Sequence, residues 1–434
     1  MSDCIFSCPD LDSFCLLDRL GLRVEAQSVG PDRAVLACRL YRAESWCESC
    51  GASGVPRGTV GREWVHSPYG SRPTILQVRI PRWACESCGR VWRQDSSRIA
   101  APKRRLTVLA AWHALKLVVV DHMSIKSVAQ TLGASWHATF QAVHDLGWDQ
   151  YLSDPTRFDG VEVIGVDEHK WAHTTGVEQF VTVVIDLTPV RKRTGPARLL
   201  DMIPGHSKKV FKAWLAARPE SFRNSVEIVS MDGFTGYKTA VVEELPDAIT
   251  VMDPFHVIAL AGTALDQCRQ RIQQATLGRR GKTGDPLYGA RKTLRAGQGY
   301  LTKRQWDKLE DLFADENHVC VEVTWHYYQQ MITAYREDNR KTGEQIMQHV
   351  INDLAQGVPD GLTELRRLGA TLKRRAGDIL AYFKHPHSSN GPTEAINGHL
   401  EHLRGIALGF RNLPNYITRS LLETGGLKPQ LKHP

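Results

Sequence analysis

The chain has 434 residues, with 55 Lys and Arg against 47 Asp and Glu, a net charge of +8 and a pI near 8.9. Such a length holds roughly two to four domains with a sizeable core, and the basic balance points to polyanionic partners. A membrane protein or a secreted one is not expected: the longest apolar stretch, Leu106–Val120, is broken by Trp112, His113 and Lys116, and no basic-then-apolar leader opens the chain, so the expected setting is cytoplasmic.

Residues 1–100 are rich in Cys, Trp and Arg and read as a zinc-binding β module. Cys47-Glu-Ser-Cys50 and Cys85-Glu-Ser-Cys88 repeat one pattern, and each pair runs into a glycine, Gly51 or Gly89. A tight knuckle around a metal needs that permissive backbone, and four thiolates at this spacing suit tetrahedral Zn²⁺. The remaining cysteines are scattered, which fits a reducing compartment with one metal site better than a disulfide framework.

Residues 101–150 read as helices. Leu106–Val120 has helical periodicity, and Ser124–Leu132, a turn at Gly133, then Ser135–His144 follow a helix-turn-helix layout. Val128, Ala129 and Leu132 are expected in the core, Ser135 as the cap of the second helix, and His137, Gln141 and His144 on the face offered to DNA. The alternative is a three-helix packing module that touches no DNA.

From residue 160 to 260 the pattern becomes β then α. Strands are expected at Val161–Asp167, at Gln179–Asp186 after a turn at Thr174–Gly176, at Arg198–Ile203, at Val226–Met231 and at Ala248–Met252. Helices fall near Ser207–Ala217 and Tyr237–Glu244, and the alternation fits a mixed sheet covered by helices. Residues 261–385 then read as a basic helical insertion: from Arg269 to Arg304 ten Lys or Arg face one acid, Asp285, and Arg279, Arg280 and Lys282 are candidate DNA contacts. A second basic cluster holds Arg366, Arg367, Lys373, Arg374 and Arg375, and the aromatics Trp325, Tyr327 and Tyr328 read as core, with stacking on an unpaired base as the alternative.

Three acids carry the chemistry. Asp167 and Asp232 close apolar, β-branched runs, where a carboxylate is costly unless a cation neutralises it. Glu394 sits at the third position of a helix opened by Pro392, where an acid also serves as a cap. Asn397 follows on the same face, and Arg404 and Arg411 beyond it are available for DNA backbone contacts. Carboxylate oxygens suit Mg²⁺ or Mn²⁺, and such ions serve phosphoryl transfer. Asp186 and Asp253 compete for the same role, and spacing does not choose among the acids.

The cysteine pairs, the helix-turn-helix, Gly165-Val-Asp-Glu-His-Lys-Trp171, Asp232-Gly-Phe-Thr-Gly-Tyr237, Asp253-Pro-Phe-His-Val257 and Glu394-Ala-Ile-Asn397 leading to Gly409-Phe-Arg411 together resemble the ISL-three family of insertion-sequence transposases, in the DDE group. The resemblance implies a multidomain α/β protein with a ribonuclease-H-like catalytic domain, interrupted by the helical insertion and completed by residues 386–434. It also implies Asp167, Asp232 and Glu394 as the catalytic, metal-holding triad, with Asp253, His256 and Asn397 in support. The implied partners are double-stranded DNA, as terminal inverted repeats and as target, and a second copy of the chain on that DNA. One departure is the segment after Asn397, Gly398-His-Leu-Glu-His-Leu-Arg404, which is poorer in lysine than the family pattern. Two rivals are a regulator that binds the ends without cutting and a ribonuclease-H-like nuclease for branched DNA. Three acids in place argue against the first, and the sequence-reading N-terminal modules against the second.

Overall fold

The computed structural model describes residues 8–172, 179–407 and 409–431, and the chain divides into two units. One unit takes residues up to 157 together with those from 401 onward; the other takes residues 158–400.

The first unit opens with five strands: β1 (Leu22–Val29), β2 (Ala34–Leu40), β3 (Val55–Tyr69), β4 (Arg72–Ala84) and β5 (Val91–Arg93). They are ordered β1-β2-β4-β3, with β5 added to β4. Leu76, Val78 and Ile80 alternate inward along β4 while Gln77 and Arg79 face solvent, the period-two pattern of a sheet with one buried face. The long β3–β4 hairpin accounts for the wide gap between the two cysteine pairs. Its far ends meet in register, Val55 opposite Ala84, so the chain leaves one knuckle, travels out and back, and returns to the other.

Three helices follow, Val108–Val119, Ile125–Leu132 and Trp136–Gly147, with Thr107, Ser124 and Ser135 accepting from backbone N–H groups at their starts. Gly133 turns the chain at φ +67°, and a Cβ there would lie 2.6 Å from Pro73 Cβ, so the turn requires glycine twice over. Val128, Ala129 and Leu132 are buried as expected. The β module and the helices are one unit: Val65 N–H donates to Arg105 C=O at 2.9 Å and Thr107 N–H to Val65 C=O at 2.9 Å.

Residues from 401 belong here too; of the 386–434 expected to complete the catalytic domain, 386–400 lie in the second unit. Leu422, Leu427 and Leu431 bury themselves with Ala110, Leu115 and Val118, a fully apolar surface that the N-terminal helices cannot cover alone. The buried Arg419 of the helix Leu413–Thr424 pairs with Glu423 and donates to the carbonyls of Met123 and Val118.

The second unit is built on β6 (Val163–Lys170), β7 (Phe180–Asp186), β8 (Arg198–Pro204), β9 (Ile228–Met231) and β10 (Ile249–Met252), in the order β10-β9-β6-β7-β8. β6, β7 and β8 run antiparallel as a meander, and β9 and β10 add parallel to β6 on its other side. Strand β6 is therefore central, which is why Val163 to Asp167 are buried without alternation. The helices Lys208–Ala216 and Thr235–Glu244 cover one face with Phe211, Leu215, Tyr237 and Val241. The expected turn at Thr174–Gly176 lies outside the described residues.

The helical insertion begins at Pro254, earlier than the expected 261, because Asp253 caps a helix that runs to Leu277. Its helices close around their own core, in which Trp325 and Tyr328 are buried. No helix among the described residues is long and apolar enough to cross a membrane. Trp325→Ala should lower the stability of this insertion by about 3–5 kcal/mol. Denaturant unfolding followed by circular dichroism checks it, and a loss under about 1 kcal/mol would return Trp325 to the role of a ligand contact.

Candidate active site

Adjacent strands place the acids. The parallel register pairs Val166 with Met231 and Met231 with Met252, so the next residue on each strand, Asp167, Asp232 and Asp253, falls at one level across three neighbours. Side chains at one level of a parallel sheet leave the same face. Glu168, one step on, is exposed, as the alternation demands.

Asp167 is buried, and it is pushed up to about 6 from an ordinary value of 3.8, first by burial and then by the charge of Asp232. Glu168 N–H and the His256 imidazole act the other way. Asn397 Nδ2 donates to Asp167 Oδ2 at 3.0 Å, and Asn397 Oδ1 is buried with no partner. Asp232 Oδ1 accepts from Phe234 N–H at 2.9 Å, fixing the turn after β9.

Asp253 has both oxygens engaged by backbone donors: Asn390 N–H at 2.7 Å and Phe255 N–H at 3.0 Å. Burial, the largest influence, pushes its pKa above the ordinary carboxylate value, while those bonds and His256 oppose the rise. Asp253 is thus a pin between β10 and the start of the helix Gly391–Ile406, which carries Glu394 in its first turn. Asp253, His256 and Glu394 each bring a ligand atom within 4.8 Å of the others. Asp167, Asp232 and Glu394 do not close into such a cluster among the described residues; the His256 imidazole lowers the pKa of both Asp167 and Asp253. Asp186, the other competitor, sits elsewhere: Arg198 Nε holds it at 2.9 Å and Thr188 N–H at 2.8 Å.

No lysine or arginine pairs with Asp167, Asp232, Asp253 or Glu394 among the described residues. An oxygen-rich cluster with one imidazole, an orphaned amide oxygen and no basic neighbour fits a hard divalent cation.

Sequence reasoning missed Asn390 and Thr393. Both are buried; Asn390 also donates to Val166 C=O at 3.4 Å and accepts from Thr393 Oγ1 at 2.6 Å. A Cβ on Gly165 would stand 2.6 Å from Asn390 Oδ1 and from Thr393 Oγ1, so glycine in the central strand is what admits this loop. The glycine inside an otherwise β-branched run was the available signal.

The four cysteines also meet. Cys47 Sγ lies 3.6 Å from Cys88 Sγ, and Cys50 Sγ 3.4 Å from Cys85 Sγ, too far apart for disulfides and near the edge length of a tetrahedral thiolate site. The two knuckles are copies: Gly51 N–H donates to Cys47 C=O at 2.8 Å and Gly89 N–H to Cys85 C=O at 2.9 Å, with φ of +72° and +73°.

The expected DNA contacts divide. His137, Arg280, Lys282 and Arg411 are exposed. Gln141 accepts from Arg104 at 3.0 Å and His144 lies 3.5 Å from Asp145. Arg279 is held by both oxygens of Asp285, at 2.7 and 2.9 Å, and Arg404 pairs with Glu401. In the second basic cluster Arg366 pairs with Asp360, and Arg375 is buried against Asp378.

Ionising Asp167 costs the folded state. Below pH 3.8 both states are protonated and there is no cost; between about 4 and 6 the unfolded chain ionises first, so stability falls as pH rises; above 6 the full cost, about 3 kcal/mol, remains. Asp167→Asn should therefore raise the melting temperature at pH 7.5 in magnesium-free buffer, with the gain vanishing toward pH 4. Melts across that range check it, and a pH-independent difference would contradict the assigned burial.

A transposase family, of the DDE ISL3 type, matches residues 164–420. The transposase of insertion sequence IS1557 from Mycobacterium tuberculosis is 26% identical over 416 residues, 89% of this chain and 87% of that protein. The transposase of IS1001 from Bordetella parapertussis is 24% identical over 378 residues, 84% of this chain and 85% of that one. Among solved structures, the Drosophila P element transposase strand transfer complex covers 76% of this chain and 95% of its own, at 10% identity and a TM-score of 0.40.

Proposed function

This chain belongs to the ISL-three family of DDE transposases, and from that premise we propose that it binds the terminal inverted repeats of its element, cuts them and joins them to target DNA, in the cytoplasm and on the nucleoid. The observation that carries the reading is the line of Asp167, Asp232 and Asp253 across three strand ends, with Glu394 brought to Asp253 and no lysine or arginine paired with any of them among the described residues.

Asp167, Asp232 and Glu394 would hold Mg²⁺ or Mn²⁺, which supplies Lewis-acid activation of an attacking oxygen and stabilisation of the leaving one. Asn397 orients Asp167 through its 3.0 Å bond, and its Oδ1 is buried without a partner. Asp253, both oxygens occupied by backbone donors, holds the first turn of the Glu394 helix at the sheet and acts as a positioning residue. His256 supplies an imidazole between the groups and can donate to a phosphate oxygen. We read the sheet as ribonuclease-H-like: a three-strand meander with two parallel strands added beside its first member, and the first acid on the central strand, support it. Cys47, Cys50, Cys85 and Cys88 would hold Zn²⁺ and fix the tip of the β module. The N-terminal unit would recognise the ends, with its Arg411 as a phosphate contact and Arg280 and Lys282 of the second unit as further ones, and two ends in one reaction call for a dimer or larger assembly on DNA.

Two substitution experiments test these roles. On DNA carrying the element's ends with Mg²⁺, wild type should give nicked ends and joined products, while Asp232→Asn and Glu394→Gln should bind equally and lower cleavage at least about a hundredfold. Retained cleavage would remove the substituted acid from the triad, and specific binding by the wild type without cutting would favour the regulator. Cys85→Ser should lose about one zinc per chain by elemental analysis and weaken end binding; unchanged zinc content would end the assignment.

A further inference from the structure

The helix Trp136–Gly147 carries a stripe of which duplex reading uses only His144. Trp136, Phe140, His144 and Trp148 recur every four residues and share one face. The Trp136 and Phe140 rings lie 5.1 Å apart and within 4° of parallel; those of His144 and Trp148 lie 6.3 Å apart and within 8°. Aromatics at helical spacing usually belong to a core, but the core of this helix is already made by Thr139, Ala142 and Val143. Trp136 is 49% exposed and Trp148 50%. The stripe is a second apolar face turned to solvent.

Trp136, Phe140 and His144 line a groove of about 800 Å³ that lies within the first unit and is also lined by Phe410 and Arg411. Lys126 and Arg411 stand along it, both exposed, and among the described residues neither has a hydrogen-bond or ion-pair partner. None of the described residues lining the groove is Asp or Glu. Flat aromatic walls, free cations and no carboxylate are complementary to a base attached to a phosphate, and side-chain amides of Gln130 and Asn415 supply donors and acceptors for a base edge. In a duplex each base face is covered by its neighbours, so only an unpaired base can enter such a cleft and stack.

We propose that this groove binds an unpaired nucleotide of the DNA substrate, its base stacked on Trp136 and its flanking phosphate held by Lys126 and Arg411. The inference rests on the transposase reading for its partner. It makes the second helix of the pair a holder of opened DNA at a cut or frayed end as well as a reader of duplex.

The test uses the full-length protein with a fluorescein-labelled oligothymidylate strand and a blunt duplex of equal length. Wild type should bind both, and the strand should quench tryptophan fluorescence. Trp136→Ala should weaken strand binding roughly tenfold and leave duplex binding within about twofold, Trp136→Phe should restore most of the loss, and Arg411→Gln should flatten the salt dependence of strand binding. Circular dichroism of the variants separates this from misfolding. Equal losses on strand and duplex, or an unchanged strand affinity, would overturn the proposal. So would an unchanged strand affinity with a dimer that falls to monomer in Trp136→Ala by sedimentation, since the groove would then seat a second copy. Wild type that binds duplex but not strand defeats this inference alone; wild type that binds neither defeats the reading of the ends as well.

Discussion

Carboxylates without cations are what the second unit is arranged around. Asp167, Asp232 and Asp253 end neighbouring strands at one level, and neighbouring strands lie about 4.8 Å apart. Two like charges at that separation repel by about 3 kcal/mol even at an effective dielectric constant near 20. Among the described residues, no lysine or arginine relieves this. The fold uses backbone N–H groups on Asp253, an amide on Asp167 and burial that favours a protonated Asp167. Gly165 is part of the same arrangement, because the Asn390 loop that supplies one of those N–H groups fits only against a strand with no Cβ at that point. Bringing the Glu394 helix to the sheet and steadying the acids are thus one set of contacts.

Asp378 shows the contrast. It is as buried as Asp253, yet Arg375 and Lys238 both pair with it, and Thr250 Oγ1 donates to it at 2.7 Å. Arg375 also donates to Gly233 C=O at 3.0 Å, in the turn that holds Asp232. The last part of the insertion is therefore fastened to the sheet beside the site by a compensated charge, and a long helical excursion returns to the place it left. Asp186 follows the same rule with Arg198. Asp378 and Asp186 each have a basic partner, whereas Asp167, Asp232 and Asp253 have no lysine or arginine partner among the described residues.

That distinction was not legible in the sequence, where Asp186, Asp232 and Asp253 all end apolar runs. The strands themselves were: continuous β-branched runs set four of the five within two residues at each end, and β6 ran three residues past its expected end, because burial on both faces leaves little ambiguity of type. Ser124, Gly133 and Ser135 announced the helix-turn-helix, since caps and left-handed turns are local. What failed was long-range. Nothing near Leu422 says that it packs with Leu115, nothing near Arg279 says that Asp285 holds both its nitrogens, and Gln141 looked free until Arg104 reached it. The period of four in Trp136, Phe140, His144 and Trp148 was visible, but the polar residues beside it drew the reading to duplex contacts.

The two units carry opposite imbalances. The groove of the first has exposed cations and no acid, while the site of the second has four acids and no cation among the described residues. A DNA backbone is attracted to the former at any magnesium concentration and repelled by the latter until the carboxylates are neutralised. On the proposed function, affinity for DNA and chemistry on DNA would depend on different ions: monovalent salt would weaken the first by screening and counterion return, and divalent ions would enable the second. Separating them in this way would let the ends be held before the acids accept a phosphate.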